Sequence, residues 1–223
     1  MLYFYSWYST IIVLESSDNM KYDLIVVGMG PSAAFLAYEL IKLNNYKNVL
    51  LIDQGKSVEK RVCPMEKVGK CLNCKPYCNI TCGFSGAGAF SDGKLNSYHL
   101  SSRDKDGSIY LGGNDGGYFK EYMTEKEIYD LLTYTDNVYL SFGADPKLHG
   151  IDHMDEIKKL QDKANKQNLN LVSYPIRHLG TERSLDVLKN MQDYLSDKIT
   201  ILNNVAAEKL IVECEQVKGV ILD

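Results

Sequence analysis

Between Cys71 and Lys94 the chain reads CLNCKPYCNITCGFSGAGAFSDGK, so that four thiols within twelve residues run straight into Gly, Ala and Ser. Two chemistries are written in these residue types. The C-x2-C-x3-C-x3-C spacing of Cys71, Cys74, Cys78 and Cys82 offers four thiolates, the number that suits tetrahedral zinc or an iron–sulfur cluster. The middle gap departs from the bacterial ferredoxin run, and zinc tolerates it better. Spacing alone leaves two other readings open, a redox-active thiol pair and reduced thiols that only order a loop, because C-x-x-C also serves thiol exchange. Cys63 stands upstream in RVCP, and Cys214 is expected mid-strand in the core.

The small residues Gly83, Ser85, Gly86, Ala87, Gly88 and Ala89 let backbone N–H groups converge on an anion, as a nest does, or let a flat ring lie on the main chain. The plainer reading is a flexible surface loop. A second glycine cluster lies upstream. Gly28, Gly30 and Ala33 form G-x-G-x-x-A, in which the first glycine permits a tight turn, the second lets the backbone approach a pyrophosphate, and the small third residue lets a helix pack on its strand. The helix-start amides then face the phosphates. Asp53 follows 23 residues after Gly30, where a carboxylate can hold ribose hydroxyls and disfavours a 2′-phosphate. The alternative is a coincidental cluster of turn glycines.

These residues need elements to position them. Asp23 to Val27 is a β-branched run suited to a strand buried on both faces. Pro31 sits where a first helical turn tolerates it, and Ala34, Ala37, Tyr38 and Ile41 follow at helical spacing until Asn44 and Asn45. Val49 to Asp53 reads as a second buried strand, which completes a βαβ unit with parallel strands. Beyond Lys94 a Gly, Ser and Asp-rich passage reads as loops with one short strand. Thr124 and Glu127 have capping-box spacing ahead of a stripe of Ile128, Leu131, Thr135, Val138 and Phe142. A helix from Met154 to Asn168 would turn Ile157, Leu160 and Ala164 inward. NLVSYP follows as a strand, and Thr181 opens a helix carrying Leu185, Leu188, Met191 and Leu195. The end of the chain reads as a strand and then a hairpin turning near Glu215 and Gln216. Arg177 and His178 suit an anionic substrate or the carbonyl edge of a bound ring, or else a strand end that caps the next helix.

Composition narrows the class. Of the 223 residues 45% are apolar and 24% charged, close to the globular average. The formal charge of -4 gives no electrostatic reason to expect nucleic acid. The apolar run from Leu2 to Leu14 is too short to span a bilayer and lacks a basic n-region, so no membrane anchor or signal peptide is expected. Residues 1–19 are read as an extension outside the fold, with Met20 opening a cytoplasmic α/β domain whose cysteines stay reduced.

Four segments, YDLIVVGMGPSAAFLAYEL, LLIDQGKSVEKRVCP, CGFSGAGAFSDGKL and RHLGTERS, together resemble an uncharacterised family of bacterial FAD-dependent dehydrogenases related to the glutathione-reductase-type flavoproteins. The resemblance implies a Rossmann-like parallel-sheet FAD-binding domain with a mainly helical insertion. Its first half would be 20–100, its insertion 101–196, and its return strands 197–223. Gly28, Gly30, Pro31, Ser32, Ala33, Asp53 and Gln54 would then hold the ADP half of FAD. Arg61 falls where relatives place a basic residue near the pyrophosphate, although a solvated arginine is the alternative. Ala89, Ser91, Asp92, Gly93 and Lys94 would lie nearest the isoalloxazine, and the main chain at Val205 would meet adenine. The implied activity is hydride transfer to or from the flavin, with a small-molecule substrate and an electron-transfer partner. The residues single out no catalytic acid or base. Family members carry a Gly-Asp motif nearer their C-terminus, so this chain resembles the N-terminal portion of a longer flavoprotein. A NAD-binding Rossmann protein and a non-catalytic metal-binding module are the alternatives.

Overall fold

The computed structural model describes residues 11–13, 21–45, 48–90, 93–96, 121–150, 152–171, 176–178 and 180–223. It is a mixed α/β chain that divides into two compact units, one formed by Met1–Ser91 with Leu188–Asp223 and the other by Asp92–Val187.

The first unit is built on a parallel sheet. β3 (Leu24–Val27), β4 (Val49–Asp53) and β7 (Thr200–Asn203) lie in the order β3-β4-β7, with Leu24 beside Val49 and Asp53 beside Asn203. β4 is flanked on both sides, and Val49, Leu50, Leu51 and Ile52 are all buried. Each such side chain contributes about 1.5–3 kcal/mol. β3 was expected to be equally buried and is not: among the described strands it pairs only with β4, and Val27 is 55% exposed. An apolar run marks strand formation, whereas its place in the sheet decides its burial.

The connection between β3 and β4 is α1 (Pro31–Lys42), which starts with proline in its first turn and buries Ala33, Ala34, Ala37 and Ile41. Asn44, at φ 53, ends the helix by entering the left-handed region. After β4 a 3-10 turn, Val58–Lys60, leads to the short α2 (Met65–Val68) and the thiol-rich arc, and a second 3-10 turn spans Gly86–Phe90.

A second sheet of this unit has the order β2-β1-β9-β8, from β1 (Ile11–Val13), β2 (Lys21–Tyr22), β8 (Ala207–Glu213) and β9 (Gln216–Leu222). Ile12 pairs in parallel with Gly219 and antiparallel with Lys21. The expectation that residues 1–19 stand outside the fold is therefore corrected at Ile11–Val13, whose β-branched side chains suit a strand. Cys214 is corrected too. It is exposed and forms the β8–β9 turn with Glu215, at φ 48 and φ 62, the two-residue loop that suits a hairpin.

In the second unit, α3 (Glu125–Ser141) opens with the expected capping box. Thr124 Oγ1 accepts from the Glu127 amide, and the Glu127 carboxylate accepts from the Thr124 amide. Ile128 and Val138 are buried, but Leu131 is 49% exposed and leaves the stripe. α4 (Met154–Asn165) has no buried residue, so Leu160, 53% exposed, does not point inward as expected. β5 (Lys94–Asn96) and β6 (Ile176–His178) form an antiparallel pair. α5 (Gly180–Ser196) leads the chain back to the first unit, where Leu188, Met191 and Leu195 are buried. The expected short strand in 97–120, most of NLVSYP, and Ser91 and Asp92 lie outside the described residues.

Candidate functional site

The residues at the carboxyl end of β3 form a turn that opens away from the protein. Gly28 has φ 92, a conformation that L side chains rarely adopt. A Cβ placed on Gly28, Gly30 or Gly88 would meet no protein atom within 4 Å. Beneath the opening the turn is tied down. Met29 is fully buried, and its N–H donates to Asp53 Oδ2 at 2.7 Å while its carbonyl accepts from the Ser85 amide at 2.7 Å. Gly28 N–H donates to the Ile52 carbonyl at 2.7 Å. The two glycine-rich segments are thereby brought together, and a Cβ on Gly86 would lie 3.8 Å from the Gly30 Cα.

Helix α1 presents its amino end to the same opening. It has no capping side chain and no acidic residue in its first turn, so the partial positive charge of its free amides at Ser32 and Ala33 is not neutralised there. Such an end favours an anion. Asp53 is half-buried, and its Oδ1 accepts from the Gly55 amide at 2.7 Å. Together with Met29 this uses one lone pair on each carboxylate oxygen, and a carboxylate accepts about four hydrogen bonds. Ribose hydroxyls can still be accommodated.

Arg61 has a different role from either expectation. It is 2% exposed, which overturns the solvated reading, and its guanidinium makes four hydrogen bonds to backbone carbonyls. Nε donates to Asn79 O at 2.8 Å, Nη1 to Phe84 O at 2.6 Å, and Nη2 to Ile80 O at 2.6 Å and Gly86 O at 2.8 Å. It also lies 4.8 Å from the centroid of the Phe90 ring. Its donors hold the loop that carries the glycines, which is a positioning role. Burial lowers its pKa, opposed by the charges of Asp53, Cys82 and Cys78. Sequence reasoning had no access to this arrangement, because carbonyl partners leave no side-chain signature; nor did it single out Met29 or the fully buried Phe84.

Other predicted residues fall as follows. Ala89 is fully buried and packs within the 3-10 turn, so it does not face a ligand. Gln54 is exposed and donates from Nε2 to Cys82 Sγ at 3.2 Å. Val205 packs against the cluster of Tyr22, Leu50 and Ile52, and its N–H is engaged by the Asp53 carbonyl at 3.1 Å, which removes that donor from the expected adenine contact. Gly93 and Lys94 belong to the second unit, where Lys94 pairs in register with His178. Arg177, also in the second unit, is a structural ion pair. Its Nε and Nη2 donate to the two carboxylate oxygens of Asp136 at 2.7 and 2.6 Å, and Nη1 donates to Asp145 O at 2.6 Å. These donors are therefore not offered to a substrate.

The tetrathiolate expectation is not met by the geometry. Among the described residues no group of three or more His, Cys, Asp or Glu side chains is placed to hold a metal ion. Cys71 and Cys78 are exposed and Cys74 and Cys82 half-buried. The Cys78 thiol is pulled below its ordinary pKa by hydrogen bonds from the Ile80 and Thr81 amides, then by the Thr81 hydroxyl, with the Arg61 charge adding to them. Among the described residues no helix is long and apolar enough to cross a membrane.

No family model matches the chain. It is similar to an uncharacterized protein of Clostridium beijerinckii, 36% identical over 83 residues that make up 37% of this chain and 15% of that protein. Among solved structures, the L-amino acid deaminase from Proteus vulgaris superposes at TM-score 0.42 and 13% identity, covering 93% of this chain and 47% of its own. The L-amino acid deaminase from Proteus myxofaciens in complex with anthranilate gives TM-score 0.33 and 12% identity, covering 96% and 48%. The chain thus spans about half the length of these deaminases and 15% of the Clostridium protein.

Proposed function

We propose that the crevice at Gly28, Gly30 and the start of α1 holds the ADP portion of FAD, and that the chain is part of a flavin-dependent oxidoreductase. The observation that carries this reading is the open cradle: two glycines whose missing side chains face empty space, beside an uncapped helix start and a strand-end carboxylate. The residues fit the group. Gly30, Ser32 and Ala33 would bind the pyrophosphate through their amides at the turn that Gly28 makes, Asp53 would accept the ribose hydroxyls, and the loop held by Arg61 would cover the crevice from the Ser85–Gly88 side. Bound FAD would supply a two-electron redox centre for a small-molecule substrate. A NAD-binding protein is the competing reading, because the same cradle suits either dinucleotide.

Titration of the chain with FAD and separately with NAD, followed by flavin fluorescence and by calorimetry, tests this. The expected result is FAD binding that Gly30→Val weakens about tenfold or more, a loss of about 1.4 kcal/mol, with the circular dichroism unchanged. A Cβ at this position meets no protein atom within 4 Å, so the added side chain starts into the open crevice. Binding of NAD in preference to FAD would select the competing reading, and equal FAD binding by Gly30→Val would remove the crevice from consideration.

A further inference from the structure

We propose that Cys78 and Cys82 form a peroxide-responsive dithiol, in which hydrogen peroxide oxidises Cys78 and Cys82 then closes a disulfide with it. This is not the C-x-x-C pair that spacing alone singles out, and it does not depend on the flavin reading. Among the described residues no set of three metal-ligating side chains claims either thiol.

The local chain brings the two sulfurs together. The Cys82 amide donates to the Cys78 carbonyl at 3.0 Å, so the residues stand one helical turn apart. Residues four apart on such a turn share a face, with Cα atoms about 6 Å apart, inside the span of about 4.4–6.8 Å that a disulfide bridges. One hydroxyl touches both sulfurs: Thr81 Oγ1 lies 3.6 Å from Cys82 Sγ and also hydrogen-bonds Cys78. A hydroxyl has one proton to give and lone pairs with which to accept, so it can donate to the Cys78 sulfur while accepting from the Cys82 S–H. The turn itself is held by Arg61, whose guanidinium donates to the carbonyls of Asn79 and Ile80, between the two cysteines, at 2.8 and 2.6 Å.

The surroundings assign the order of attack. Cys78 is exposed, and its sulfur faces the Ile80 and Thr81 amides and the Arg61 charge, a setting that suits attack on a small oxidant. Cys82 is half-buried, and its Sγ accepts from Gln54 Nε2 at 3.2 Å, which suits a thiol that waits for the first to react. In the first step the Cys78 thiolate attacks one peroxide oxygen: an S–O bond forms, the O–O bond breaks, and the departing hydroxide takes a proton to become water. In the second, Cys82 gives up its proton and attacks the sulfur of the Cys78 sulfenic acid, so that the S–S bond forms, the S–O bond breaks and a second water leaves. The two thiols have then lost two electrons and two protons, and one peroxide has become two waters.

Mass spectrometry of the full chain, reduced, freed of metal with a chelator and then exposed to hydrogen peroxide, tests the site. Trypsin releases all four clustered cysteines in one peptide, 71–94, because Pro76 blocks cleavage after Lys75, so Cys71→Ser with Cys74→Ser serves as the background. In that background the peptide is expected to lose two hydrogens, to regain them with dithiothreitol, and to react about tenfold or more faster in the folded chain than in the chain unfolded by urea. Adding Cys82→Ser should stop the hydrogen loss and leave a Cys78 sulfenic acid that dimedone captures, whereas adding Cys78→Ser should slow oxidation of Cys82 about tenfold or more. Fragmentation of the wild-type peptide should give the same Cys78–Cys82 bond without any substitution. The proposal is overturned if that fragmentation places the bond between Cys71 and Cys74, if folding brings no acceleration, or if the chain carrying Cys78→Ser oxidises as fast as its parent. Equimolar zinc that binds the wild-type chain and blocks oxidation would also overturn it, by making the thiols metal ligands.

Discussion

Each of the two units buries an arginine, and the two are held in different ways. Arg177 faces a carboxylate, with two parallel hydrogen bonds to Asp136 that tie strand β6 to helix α3 and a third to the Asp145 carbonyl. Arg61 faces four carbonyls in Asn79, Ile80, Phe84 and Gly86 and, among the described residues, has no carboxylate in an ion pair. A carboxylate partner cancels charge and joins two regular elements. Carbonyl partners fix an irregular backbone and leave the charge in place. The first arrangement is what a packed helical unit needs, and the second suits a loop that is to meet an anion.

The comparison can be broken by mutation. Arg61→Met, which keeps an apolar stem and removes the fork, should lower stability by roughly 4 kcal/mol, given about 1.5–3 kcal/mol for each hydrogen bond to a charged group and partial recovery by water. Chemical denaturation measures it, and Arg61→Lys should recover little, since one ammonium cannot reach four carbonyls in a fixed plane. Asp136→Ala should lower stability by about 3 kcal/mol, because it strands the buried Arg177 charge. Here Arg177→Lys should be the milder substitution, as a point charge still faces the carboxylate. Equal rescue by lysine at both positions would erase the distinction.

The smallest effect sharpens it. The uncancelled Arg61 charge favours the Cys78 thiolate, after the Ile80 and Thr81 amides that act first. Alkylation requires the thiolate, so the rate of Cys78 modification by iodoacetamide should reach half its maximum at a pH below that of a free cysteine peptide. In a folded Arg61→Lys variant the charge persists and the profile should move little. In Arg61→Met it should shift upward. A profile identical to the peptide's would mean that the thiol feels neither the amides nor the arginine.

The β3–α1–β4 unit was legible because strand, proline-led helix and strand follow one another within local reach, each with its own periodicity. Which strand would be central was not legible, since β7, the second neighbour of β4, arrives almost 150 residues later. The glycine turn and Asp53 were readable from type and spacing, but the bond between the Met29 amide and Asp53 depends on parallel register. Arg177 was noticed and its partner was not, because Asp136 lies 41 residues away on the polar side of a helix. Cys214 misled because its hairpin turn has neither Gly nor Asn at its positive-φ positions. Leu160 misled because helical spacing defines a face without saying whether anything covers it.

The close approach of Gly55 to Gly83 has one more effect. A Cβ on Gly55 would stand 2.2 Å from the Cys82 carbonyl carbon, and one on Gly83 would stand 2.3 Å from the Lys56 carbonyl oxygen, so the two main chains touch with no side chain between them. The thiol-bearing arc is therefore pinned at its base by main chain lying on main chain, in addition to the bonds that Arg61 makes to Asn79 and Ile80. Any side chain larger than hydrogen at either glycine would prise that base apart.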